Sequence, residues 1–101
     1  EPQKHGFAPD AVPEAARHVA TLPAVRLRGL MTIAPLVMNP EEVRPVFRWL
    51  RELRDALLAE WPAADELSMG MTDDFEVAIE EGATLIRVGR AIFGERAQPS
   101  I

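Results

Sequence analysis

The sequence predicts an α/β protein with parallel strands. Three observations lead there. Helical and strand-like periodicities alternate along the chain, so each strand is separated from the next by a helix and a right-handed crossover. The strand segments turn almost uniformly apolar, as strands of a sheet buried on both faces do. Capping and breaking residues stand at the boundaries between the two kinds of segment.

In chain order, Asp10 precedes "AVPEAARHVATL", in which Val12, Ala15, Ala16, Val19 and Leu22 recur at helical spacing and Pro13 suits a first turn. Pro23 should stop this helix. "VRLRGLMTI" alternates Val25 and Leu27 with Arg26 and Arg28 before becoming apolar, which predicts a first strand. Asn39 can cap the next helix, Pro40 fits its first position, and Glu41 and Glu42 suit the positive end of its dipole. Val43, Val46, Phe47, Leu50, Leu53, Leu57 and Trp61 then form one stripe at three- and four-residue steps. "ELSMG" reads as a second strand. Asp73 with Glu76 resembles a capping box opening "DFEVAIEE", and Gly82 is placed to close that helix in the left-handed conformation. "ATLIRVG" is a third strand and "RAIFGER" a short helical turn. Three parallel strands need helices on both faces or closure into a barrel, and three helices cover one face.

Bulk properties narrow the function. The 101 residues fit one domain, and 48% hydrophobic with 27% charged residues is a globular composition. Sixteen acids against eleven bases give a net charge of −5, the wrong sign for a nucleic-acid binder. Apolar runs are too short to span a bilayer, and the absence of cysteine excludes disulfides and thiolate metal sites. A cytoplasmic protein is the simplest expectation. His5 and His18 have no partner at ligand spacing, so a metal site is not expected. The opening "EPQKHGFAPD" reads like the middle of a loop, so the sequence is expected to be part of a longer chain.

Ligands of parallel α/β folds gather at the carboxyl ends of the strands. "GLMTIAP", "LSMGMT" and "RVGRAIFG" converge there. The last ends a strand at Gly89 and begins a helical turn, whose free N–H groups and dipole suit a phosphate. Ser68 and Thr72 are hydroxyl donors for the same anion, or else local caps of the following helix. Arg87 stands two residues before Gly89 and is open to a structural ion pair as well as to a ligand. Met31 and Met69 serve equally as core filler. Asp73 with Asp74, and Glu41 with Glu42, are explained by their helix starts. Glu80 and Glu81 sit at the unfavourable helix end, with no functional account.

"LSMGMTDDFEVAIEEGATLIRVGRAIFGER", together with "LRGLMTI" and "EPQKHGF", resembles the pyridoxal-phosphate homeostasis proteins over essentially the whole chain. The resemblance implies a TIM-type (β/α)8 barrel like that of alanine racemase, with residues 1–101 as the carboxyl-terminal half of a single cofactor-binding domain. It implies a protein that binds, buffers and delivers pyridoxal 5′-phosphate without established turnover, with cofactor-dependent apo-enzymes as partners. By position, Ser68 and the backbone of Gly89 and Arg90 would hold the phosphate, Arg87 would face the pyridine nitrogen, and Met31 and Met69 would line the pocket. Thr72 would be a second-layer donor. Arginine at position 90 replaces the threonine frequent in relatives, which leaves the N–H and removes a hydroxyl. The Schiff-base lysine of the family lies in the amino-terminal half, and the one lysine here, Lys4, matches a different position. Two rivals stand beside this reading: a racemase or decarboxylase of the same fold, and a ligand-free half-barrel that self-associates. The chain has no tyrosine, so a tyrosine base for a racemase would come from elsewhere.

Overall fold

A computed structural model describes residues 6–89 and residue 92. A 3-10 turn at Pro9–Ala11 leads into α1 (Val12–Ala20), followed by strand β1 (Gly29–Met31). A second 3-10 turn at Pro40–Val43 runs into α2 (Arg44–Leu58), then β2 (Glu66–Met71), α3 (Phe75–Glu80) and β3 (Leu85–Arg87). The strands form one parallel sheet in the order β1-β2-β3, so β2 is central and, among the described residues, each outer strand has one unpaired edge.

Helices α2 and α3 cover one face of this sheet. Apolar side chains meet there because β2 alternates. Leu67 and Met69 point toward the helices and are fully buried, packed with Phe47 and Val43 from α2 and its preceding turn and with Val77 and Ala78 from α3. Paired residues in parallel strands share a face, so Met31, Ser68 and Leu85 stand in one row on the opposite side. Among the described residues no helix covers that side, and Met31 and Leu85 keep 60% and 52% of their surface exposed. The two faces therefore differ in kind: one is a core and the other is open.

Within the described residues the expected elements form, with three differences; the expected turn "RAIFGER" lies, apart from Ile92, outside them. The first strand is only Gly29–Met31 rather than the whole of "VRLRGLMTI", since its ladder partner covers only Glu66–Ser68. Asn39 does cap, accepting from Glu41 N–H at 3.0 Å, but it opens a 3-10 turn before the helix proper. Helix α3 starts one residue later than the Asp73–Glu76 pattern places it, after Asp74, whose carboxylate accepts from Met71 N–H at 2.8 Å and closes the strand-to-helix turn. Gly82, at φ +105°, ends α3 as expected, with Ala83 N–H reaching back to Ala78 C=O at 2.9 Å.

The acids at the end of α3 acquire an explanation. Glu81 is 6% exposed, and its carboxylate accepts from Arg44 at 2.8 Å, Arg51 at 3.1 Å and Arg48 at 3.4 Å, all on α2. Arg44 also pairs with Glu41 and Glu80. Three guanidinium groups offset the cost of placing carboxylates at the negative end of a helix dipole. They hold the Glu81 carboxyl below its ordinary value, chiefly through the Arg44 hydrogen bond and against the effect of burial.

Candidate functional site at the strand ends

At the carboxyl end of the sheet, a cavity of about 580 Å³ opens between the segment after β1 and the segments after β2 and β3. Ile33 to Leu36 form one wall; Met71 to Asp74, Arg87 and Gly89 form the other. Its lining is mostly apolar with a few convergent polar groups, which is the usual character of a small-molecule site.

Arg87 is the most informative of these groups. As the last residue of β3 it reaches across the end of the central strand, and its Nη2 donates to Thr32 C=O at 2.9 Å. Its Nε is buried and has no hydrogen-bond partner. Among the described residues no carboxylate pairs with it. A buried guanidinium N–H without an acceptor costs free energy, which sets Arg87 apart from the other residues lining the cavity.

Of the sequence-nominated residues, Arg87, Gly89 and Thr72 meet at this cavity. The Ile92 N–H donates to Val88 C=O at 3.2 Å, one helical hydrogen bond just past the strand end. Ser68 lies on the same open face but lower on β2, and does not line the cavity wall. Arg90 lies outside the described residues, as does Lys4.

The two methionines depart from expectation. Met69 does not line a ligand pocket; strand alternation turns it into the core against the helices. Met31 lines a different cavity, about 430 Å³, between α1, α2 and the free edge of β1, with Val19, Trp49 and Leu53. Met71 takes the place proposed for them. It is 44% exposed and stands level with Arg87 in the ladder, where β2 advances three positions (Ser68 to Met71) while β3 advances two (Leu85 to Arg87). Simple alternation from Ser68 would have turned Met71 toward the helices, so only Gly70 hinted at the bulge.

Among the described residues no group of three or more His, Cys, Asp or Glu could hold a metal ion, and no helix is long and apolar enough to cross a membrane.

Comparison with known proteins puts this geometry in a family. A pyridoxal phosphate homeostasis protein of Aquifex aeolicus is 55% identical over 97 residues, covering 95% of this chain and 42% of the relative. Proteins of the same name from Pseudomonas aeruginosa and Escherichia coli K12 are 47% and 45% identical, with 40% and 41% of their length covered. The chain thus spans about two fifths of the length of the curated relatives it matches. A crystal structure of an unknown protein from Bifidobacterium adolescentis superposes with a TM-score of 0.84 at 43% identity, over 92% of this chain and 38% of that one. PipY of Synechococcus elongatus, in a structure with PLP bound, gives 0.72 at 36% identity, over 85% and 42%. The family model that matches residues 2–97 is the alanine racemase N-terminal domain. That is an amino-terminal domain, so the expected carboxyl-terminal label applies at most to a position inside it. With the parallel sheet, the strand-end cavity and near-complete coverage in agreement, this chain belongs to the family of the alanine racemase N-terminal domain.

Proposed function

We propose that the chain is one part of a pyridoxal-phosphate-binding barrel that takes up, buffers and delivers the cofactor in the cytoplasm, without turnover of its own. The observation that carries this reading is the buried, partnerless Nε of Arg87 on the wall of the strand-end cavity. The names of the relatives and the PLP-bound PipY structure support it. So does the unpaired edge on each side of the sheet, where the strands of a longer barrel would continue, among them one carrying the lysine that would hold the aldehyde. Recipients would be apo-enzymes that need the cofactor.

The residues present fit the group. Arg87 would meet the ring nitrogen, while Gly89, the backbone after it and Thr72 would meet the phosphate. Ser68 would serve only if the anion sat deeper on the open face. When bound, pyridoxal phosphate supplies an aldehyde and an aromatic ring that can accept electron density. Arg87 limits the second property. A guanidinium keeps its proton at any usable pH, so it donates a hydrogen bond to a ring nitrogen without protonating it. An unprotonated ring draws electrons weakly, which suits carriage better than broad amino-acid catalysis. Ile33, Pro35 and Leu36 supply the apolar opposite wall.

Calorimetric titration with pyridoxal phosphate tests the reading. Saturable binding that Arg87→Met weakens is expected. Binding that is absent, or is indifferent to that substitution, would refute it.

A further inference from the structure

Resting on the pyridoxal phosphate reading, we infer that Gly70 is the positioning residue of the site: its bulge sets Met71 and the turn after it beside Arg87. Three independent features meet at this glycine. The β2–β3 ladder passes from Ser68 opposite Leu85 to Met71 opposite Arg87, so one extra residue is absorbed on β2. Gly70 sits at φ +104°, a conformation that side chains rarely adopt. A Cβ there would stand 2.8 Å from Ala78 Cβ, 3.1 Å from Phe75 Cα and 3.3 Å from Ile86 Cγ2.

The consequence is geometric. In an unbulged ladder Gly70 itself would face Arg87, and Met71 would turn to the helix side with Met69. The bulge returns Met71 to the open face. The turn that follows is then tied down at that position, by Asp74 accepting from Met71 N–H at 2.8 Å and by Asp74 N–H donating to Met71 C=O at 3.2 Å. Thr72 thereby reaches the cavity that holds Arg87 and Gly89. The close approach of Ala78 and Phe75 presses α3 against the glycine, so the bulge cannot shift along the strand without moving the helix.

The four methionines of the chain provide the probe. With methyl-labelled methionine and pyridoxal phosphate as titrant, the Met71 methyl is expected to shift saturably while Met69 stays fixed. Without ligand, inter-strand backbone contacts are expected to pair Met71 with Arg87. A ladder pairing Gly70 with Arg87, or a ligand shift at Met69 in place of Met71, overturns the inference. Folded Gly70→Ala is expected to bind about tenfold more weakly. Its Met71 methyl should lose the ligand shift while the Gly89 amide keeps it, a split that general loosening would not give. Unchanged affinity with an unchanged Met71 shift overturns the inference too. If Gly70→Ala does not fold, the unsubstituted ladder and methyl shifts decide. No saturable binding by the unsubstituted chain would instead count against the pyridoxal phosphate reading, and the ladder, read without ligand, still judges the bulge.

Discussion

Arg87 on β3 donates through Nη2 to the carbonyl of Thr32, just beyond β1, at 2.9 Å, bridging the two outer strands across the end of the central one. One guanidinium thus ties the sheet together while its Nε stays buried and without an acceptor. The two roles separate on substitution. Arg87→Met loses the bridge but also removes a buried donor without an acceptor, so stability should change by no more than about 1 kcal/mol. Affinity for pyridoxal phosphate should fall by on the order of tenfold or more, the loss of a charged hydrogen bond. Urea denaturation and calorimetry on the same variant would read both.

The Glu81 cluster predicts acid sensitivity. Its carboxyl and that of Glu41 are held below the ordinary value of 4.5, in each case chiefly by a hydrogen bond from Arg44. A group whose folded value is depressed contributes stability that is fully present above its unfolded value, and loses it as pH falls through the folded one. Denaturation midpoints should therefore be flat above about pH 5 and decline below it. Glu81→Gln should flatten that decline while lowering stability at pH 7. A slope that persists unchanged in the variant would assign the acid sensitivity elsewhere.

Phe47 is fully buried between α2 and the sheet, against Leu67 and Met69. Truncation to alanine should cost about 3–5 kcal/mol, a large share of the stability of a domain this size. Loss of the cooperative thermal transition, followed by circular dichroism, is the expected outcome.

Asn39 caps the turn leading into α2 through its 3.0 Å bond from Glu41 N–H. Asn39→Ala should lower stability by about 1 kcal/mol and leave ligand affinity unaltered. Aspartate at the same position should restore most of the loss.

What the sequence revealed depended on whether the cause was local. The stripe from Val43 to Leu57, the cap at Asn39 and the stop at Gly82 follow from short-range spacing, and each was legible. Strand length was not, because β1 begins where β2 begins, at Gly29 opposite Glu66, and not where its own apolar alternation does. The Asp73–Glu76 pattern put the start of α3 one residue early, because Asp74 is held back by a bond from Met71 N–H. At the site, Arg87, Thr72 and Gly89 were legible from their place at strand ends. Met69 turned out to be core filler because alternation along β2 points it to the helices, and Met71 was missed because a one-residue bulge changes the parity that alternation assumes. Glu80 and Glu81 looked unfavourable for want of Arg44, Arg48 and Arg51, which lie thirty or more residues away and meet them only after α2 and α3 pack.

The alternation of β2 has one more implication. Leu67 and Met69 answer to the helices, whereas Ser68 answers to whatever fills the open side, although the three are consecutive. Selection for thermal tolerance can then act on one set of positions while selection for ligand preference acts on the other. The sequence of such a strand is two interleaved records, and homologues should diverge along them at independent rates.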